Sequence, residues 1–302
     1  MKKKSLIAFL LLIFFLSCKV QSEKKDSMQD KKAVQESFVT YLNHVNAIDS
    51  TYRIKHDTLL AIKMYGELFK KYPPHNSYLI DEYQTYIILS DRYNKDFGGK
   101  NSLYKLIPLL APNWKYNKMN KDFFSLYKKY GIDSLEMEDR VSEWKNNLNR
   151  RLRDSFAIAS FRDMQKNRDD RSLNGINDRK NLNTLLWTLD KYGYPSLQKI
   201  GLWSDDGQFM TLNSILTHMT YTEAYPYLKD KLYEYVLSGE CEPIDYAGMV
   251  DRYATLKKTE TVYGMYKGDV IKDSVKVNRN RKAIGLPSLK HIKQIREDYF
   301  KN

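Results

Sequence analysis

The sequence contains few of the residues and short motifs that identify a reaction. Its 302 residues include only two cysteines and five histidines. It has no glycine-rich phosphate loop, no Gly-x-Ser-x-Gly elbow, no His-Glu-x-x-His and no Cys-x-x-Cys. The chain therefore lacks the usual signatures of nucleotide-binding proteins, serine hydrolases, zinc peptidases and dithiol redox proteins.

The longest apolar run lies at the N-terminus and is short. Eleven residues, Leu6 to Leu16, follow three lysines and precede Ser17 and Cys18. A membrane-spanning helix needs about 20 apolar residues, so this run predicts a secretory signal rather than an anchor. Leu16-Ser17-Cys18 also resembles the lipobox of bacterial lipoproteins. The resemblance implies a signal peptide over residues 1–17 and lipidation (palmitate among the acyl groups) of Cys18, which would tether the protein to a membrane of the cell envelope.

The location within the envelope follows from the residue after the cysteine. Lys19 stands where some inner-membrane lipoproteins have an acidic retention signal. We therefore expect the periplasmic side of the outer membrane. The second cysteine, Cys241, has no base at a recognisable spacing, so we interpret it as a buried or idle thiol and expect no intramolecular disulfide.

The charge of the chain is strongly positive but evenly spread. The formal net charge is +13; residues 19–140 carry 20 basic and 16 acidic groups, and residues 141–302 carry 27 and 21. A diffuse excess favours anionic surfaces in general and specifies no partner. The export signal argues against nucleic acid as a partner. We expect the membrane, through the lipid anchor, and an unknown protein or envelope ligand.

The rest of the chain is mainly α in its pattern. Residues 18–32 are too polar to bury a core and are expected to be the lipidated cysteine and a flexible tether. From residue 33 onward apolar residues recur every three or four positions, which is typical of helices. The predicted helices are one opening at Phe38, "TLLAIKMYGELFKK", "YLIDEYQTYIILSDRY", 101–110, 119–130, 135–168, 178–192, "GQFMTLNSILTHMTY", "EAYPYLKDKLYEYVLSG", one starting at Pro243, and 288–300.

One stretch departs from the helical spacing. In "ETVYGMYKGDVIKDSVKVN", Gly268 and Asp269 separate two alternating runs, which predicts a small β-hairpin over about 261–277. The predicted fold is therefore a helical N-terminal region, 33–134, followed by a helical C-terminal domain, 135–302, that bears this hairpin.

The C-terminal half resembles an uncharacterised bacterial family classified as a domain of unknown function. The resemblance rests on an ordered series: Gln165 and Arg168, Asp178 and Asn181, Gly193 and Pro195, His218, Asp251-Arg252, Tyr263-Gly264, Arg281, and Gly285-Leu286. It implies a helical domain with a hairpin and no known reaction. Together with Asp163, which is selected from its own helical face, positions of this series form a candidate functional cluster: Asp163, Gln165, Arg168, His218, Asp251, Arg252, Tyr263 and Arg281.

Two acids lie on apolar helical faces. The stripe from Val141 to Ala159 extends by four to Asp163, and Asp251 projects from the stripe that includes Val250. A buried carboxylate needs a partner. Arg252 points about 100° away from Asp251, so we expect an arginine of "NRNR", Arg279 or Arg281, to hold it as a structural peg; a catalytic or ligand-binding acid is the alternative.

His218 is the histidine most open to a functional interpretation. It lies off the apolar stripe of its helix, beside Ser214, so it suits a general base or a metal ligand, or simply a hydrogen-bonded surface histidine. No histidine stands at i+3 or i+4, so the sequence indicates neither a metal site nor a cofactor. The leading expectation is a lipid-anchored binding or interaction module. The alternative is an envelope hydrolase using His218 with Asp163 or Asp251.

Overall fold

The protein is mainly helical, as its sequence predicts. The structure, a computed structural model, describes residues 38–165, 171–210, 212–266 and 268–300, and the side chains within those ranges except 171–174. In these ranges no helix has both the length and the hydropathy that a membrane span requires. The predicted signal peptide, Cys18 and the predicted tether lie outside the described residues, as does Arg168.

The N-terminal half is a series of helices joined by short turns. In chain order they are α1 (38–53), α2 (Thr58–Lys71), α3 (Glu82–Arg92), α4 (Gly99–Leu110), the single turn α5 (Trp114–Asn117), α6 (Lys121–Lys129) and α7 (Ser134–Asn146). Short polar side chains begin several of them. The carboxylate of Asp57 accepts from the amide of Leu60, and the carboxylate of Asp133 accepts from the amide of Glu136. Such caps satisfy amides that have no partner within the helix.

The C-terminal half continues in the same way. Its helices are α8 (Arg150–Asp163), α9 (Arg171–Lys191), the single turn α10 (Leu197–Ile200), α11 (Leu212–His218), α12 (Tyr225–Ser238), α13 (Pro243–Leu256), α14 (Ser274–Ala283) and α15 (Leu289–Tyr299). Gly239 ends α12 with φ +82, a left-handed conformation that suits glycine. Pro243 occupies the first turn of α13, where its missing N–H costs nothing.

The prediction of one helix over 135–168 is wrong, because the chain breaks at 147–149. Asn147 ends α7, and the side chain of Asn149 accepts from the amide of Leu152 to begin α8. Asparagine side chains compete with the helical backbone for hydrogen bonds, and here one serves as an N-cap. The break also separates two burial environments, since Val141 packs in one apolar cluster and Leu152 in another.

The predicted hairpin over 261–277 is also wrong. The described residues there form turns up to Asp273, whose side chain caps α14, and Ser274 begins a helix. The amides of Val262, Tyr263 and Met265 donate to a carboxylate of α13 and so are not used in a strand ladder. Among the described residues, the β-bridge that forms is an isolated one between Trp203 and Phe209.

The core consists of two apolar clusters, and the last helix belongs to the first of them. One cluster is built by α1 to α7 together with Ile292 and Ile295 of α15. The other is built by α8 to α13 together with Tyr263, Ile284 and Leu286. Helix α15 therefore packs against the N-terminal helices, and His291 contacts Asp49 of α1 at 2.7 Å. The division at residues 134 and 135 stays a prediction.

Candidate functional site

Two helix ends bring Asp163 and His218 together. Asp163 is the last residue of α8, and His218 is the last residue of α11. His218 Nδ1 lies 2.7 Å from Asp163 Oδ1, and the Ser214 hydroxyl donates to Asp163 Oδ2 at 2.6 Å. Ser214 and His218 are four residues apart and so share one face of α11. Both oxygens of this carboxylate are thus held from the same helix.

A second carboxylate approaches the same point from a third helix. Asp178 lies on α9, and one oxygen of each aspartate and one ring nitrogen of His218 all lie within 4.8 Å of one another. Asn177, the residue before Asp178, donates to Gln165 Oε1 at 3.1 Å, which ties α9 to the end of α8. Helices α8, α9 and α11 therefore converge on two carboxylates and one imidazole.

The chain contains a second aspartate–histidine pair that provides a comparison. His291 Nε2 lies 2.7 Å from Asp49 Oδ2, and Arg53 Nε donates to both oxygens of Asp49 at 3.0 Å. The side chains of His291 and Asp49 are 3% and 0% exposed, whereas those of His218 and Asp163 are 22% and 2% exposed. The two pairs have the same separation, but of the two imidazoles only that of His218 is substantially accessible from solvent.

Asp251 is buried and held, but the prediction that an arginine holds it is wrong. The residue is 1% exposed. Its Oδ1 accepts from the amides of Val262 at 2.7 Å and Tyr263 at 3.0 Å, and its Oδ2 accepts from the amide of Met265 at 2.9 Å. Several backbone amides can stabilise a carboxylate as effectively as a cation does. Asp251 therefore organises the loop after α13.

Arg281 supports the same loop through carbonyl groups. Its Nη1 donates to the carbonyl oxygen of Tyr263 at 2.7 Å and its Nε to that of Pro287 at 2.5 Å. Burial, together with the neighbouring Arg296, lowers the pKa of Arg281 to about 10. Asp251 and Arg281 thus bind opposite polar groups of one peptide segment around Tyr263 instead of each other.

The predicted cluster therefore separates into two groups. Asp163 and His218 are in direct contact, and Gln165 is linked to Asn177 beside Asp178. Asp251, Tyr263 and Arg281 form the loop-holding group. Arg252 belongs to neither by its described contacts, since its Nη2 donates to the Tyr221 hydroxyl at 2.6 Å.

Sequence reasoning did not assign a role to two residues of the site. Ser214 stands four residues before His218, a spacing that predicts a shared helical face. Asp178 was named only through the family resemblance, and nothing in its spacing connects it to Asp163.

A small cavity of about 20 Å³ lies away from this site. It is lined among others by Leu42, Glu242 and Leu286 and has room for about one water.

Comparison of the chain with known protein families, with curated proteins and with solved structures gives no match. The lipobox and the resemblance to an uncharacterised family accordingly remain proposals that depend on the quoted residues alone. The geometry around His218 is the main basis for a functional proposal.

Proposed function

We propose that this chain is a lipid-anchored protein of the cell envelope whose C-terminal helices bind an envelope ligand around His218. The support for the anchor is the N-terminal signal and the Leu16-Ser17-Cys18 junction. The polar composition of residues 19–32 supports a tether between this anchor and the helical region. The ligand is a protein or another envelope component reached from the periplasmic side.

The main observation that supports this binding site is the pairing of a buried carboxylate with a more accessible imidazole. Asp163 is buried and holds the imidazole of His218 through a 2.7 Å contact, while the His218 side chain remains 22% exposed. In contrast, Asp49 and His291 form a fully buried pair between α1 and α15, which suits a structural role. A ligand that contacts the imidazole would give the accessible His218 pair a role that the buried His291 pair cannot have.

A capture experiment tests this proposal. Full-length wild-type protein and a His218→Gln variant are immobilised in detergent and exposed to envelope extract, with His44→Gln as the matched control because His44 is an exposed histidine on α1. We expect a component that wild type and His44→Gln retain and His218→Gln loses. Identical capture by all three proteins would contradict the assignment of the site.

A second candidate function, an envelope hydrolase, is favoured by the same 2.7 Å contact. An aspartate that accepts from Nδ1–H fixes the tautomer in which Nε2 accepts a proton. His218 would take a proton from water as the water oxygen attacks the substrate, and would then return it to the leaving group. Asp251 is not part of this candidate, because backbone amides of Val262, Tyr263 and Met265 occupy its oxygens.

The hydrolase candidate is tested with model ester, amide and phosphoester substrates. If His218 is the general base, His218→Gln should lower the hydrolysis rate of any substrate that wild type cleaves by about a hundredfold or more, the usual contribution of such a base. His44→Gln should leave that rate unchanged. An activity that survives His218→Gln undiminished would exclude this candidate.

A further inference from the structure

The convergence of α8, α9 and α11 has a chemical consequence beyond hydrogen bonding. Asp163, Asp178 and His218 each present one potential ligand atom, and these atoms lie within 4.8 Å of one another. Metal–ligand bonds of about 2.0–2.2 Å place ligand atoms of one ion roughly 3–4 Å apart. The three side chains therefore need only small movements to share a single ion.

We propose that Asp163, Asp178 and His218 bind one divalent metal ion that takes mixed oxygen and nitrogen ligands. Two carboxylates with one imidazole suit Zn²⁺, Mn²⁺ or Fe²⁺ and do not suit the soft ions that prefer thiolates. The ion is also the point at which the envelope ligand attaches, and this part of the inference rests on the proposed function. Three protein ligands leave at least one position for a group from outside.

Hydrogen bonds around the cluster already hold one of the proposed metal-ligating side chains in place. Ser214 donates to Asp163 Oδ2 at 2.6 Å, so the carboxylate is oriented by a neighbour that is not itself one of the three ligands. Asn181 donates to the carbonyl oxygen of Ala159 at 3.0 Å and locks α9 against α8 close to both aspartates. Ligand side chains in metal sites are commonly oriented by such outer hydrogen bonds.

The separation along the chain explains why spacing does not reveal this site. Fifteen positions separate the two aspartates and 40 separate Asp178 from His218, and each of the three residues lies on a different helix. Motifs with ligands three or four residues apart on one helix are recognisable in a sequence, whereas a set drawn from three helices is not. Packing of α8 against α9 and α11 assembles it.

Metal binding to the full chain, purified in detergent and treated with a chelator, tests the inference. Calorimetric titrations with Zn²⁺ and separately with Mn²⁺ should show one saturable site for at least one of the two ions. Asp178→Asn and His218→Gln should each weaken that site about tenfold or more, and His44→Gln should leave it unchanged. Asp178→Asn is the primary variant, since it keeps the side-chain shape and Asp178 is less buried than Asp163; circular dichroism checks that it folds.

The possible outcomes separate this inference from the proposed function. Absence of saturable binding, or binding that Asp178→Asn and His218→Gln leave intact, overturns the metal site. If wild type binds no metal while His218→Gln still loses the captured envelope component, the metal inference is wrong and the binding site stands. If metal binds as expected but capture does not depend on His218, the metal site stands and the proposed function is wrong.

Discussion

Replacing Asp251 with alanine should destabilise the protein severely, although none of the arginines whose side chains the structure describes contacts its carboxylate. The side chain is 1% exposed and accepts from the amides of Val262, Tyr263 and Met265. Each buried amide left without an acceptor costs about 1–3 kcal/mol. Because the loop can relax toward water, we take the lower part of that range, about 3–6 kcal/mol for the three amides together. The buried Arg281 also loses a nearby negative charge that favours its ionised form.

The asparagine variant refines the prediction. In Asp251→Asn the side-chain carbonyl can still accept from Val262 and Tyr263, but the new amide nitrogen would face the N–H of Met265 and could not accept from it. We therefore expect Asp251→Asn to cost about half as much as Asp251→Ala. The exposed acid Asp230 on α12 provides the control, and Asp230→Ala should stay within about 0.5 kcal/mol of wild type.

Urea and thermal unfolding followed by circular dichroism measure these differences. For a chain of this size, 1 kcal/mol lowers Tm by roughly 2–4 °C, so Asp251→Ala should melt on the order of 10 °C below wild type. A variant that melts within a degree or two of wild type would refute the structural role. It would also return Asp251 to the candidate ligand-binding acids.

Three further predictions follow from other parts of the chain. Asp49→Ala should cost about 3–5 kcal/mol in urea unfolding, because it leaves the buried His291 without its partner, whereas Arg53 keeps its contact with Asp298; an unchanged midpoint would contradict the pairing of α1 with α15. Burial raises the pKa of Asp245, which accepts from Asn213 at 2.8 Å, to about 6. The folded state then retains a proton that the unfolded state releases, so this carboxyl makes stability fall as pH rises from about 4 to 6. The free energy of unfolding, measured at several pH values, should show this fall in wild type and not in Asp245→Asn. If the two proteins have parallel pH dependences, the raised pKa of Asp245 is contradicted. Cys18→Ala should release the protein from the membrane fraction or leave the signal uncut, and normal processing with unchanged fractionation would contradict lipidation.

The sequence predicted the helices well wherever the signal was local. The break after Gly239, the start of α13 at Pro243 and the bounds of α15 near 288–300 agree with the structure. These features depend on residues within one turn of each other, so the chain carries them independently of its tertiary contacts. The single helix predicted over 135–168 failed for a related reason, because Asn149 acts as an N-cap although the apolar stripe runs past it.

The sequence predicted some residues of the candidate site but not how they are arranged. Asp163 and His218 were both selected from single helical faces, but their contact crosses 55 positions of sequence. Asp251 was correctly expected to be buried and held, and its partner was wrong because three backbone amides reached it where a guanidinium was expected. A buried charge requires compensation, but many donors can supply it, and a sequence pattern does not rank them.

By itself, the sequence determined the helical class, several helix ends and the burial of Asp163 and Asp251, since these follow from apolar periodicity and from caps formed by neighbouring residues. Tertiary structure alone decided which distant groups meet. Helix α15 packs against α1, where His291 contacts Asp49, and the segment expected to be a hairpin is a loop whose amides donate to Asp251. Two aspartates and His218, from three different helices, lie close together. Such choices depend on how all helices bury their apolar faces together, which is a property of the whole fold and not of any segment.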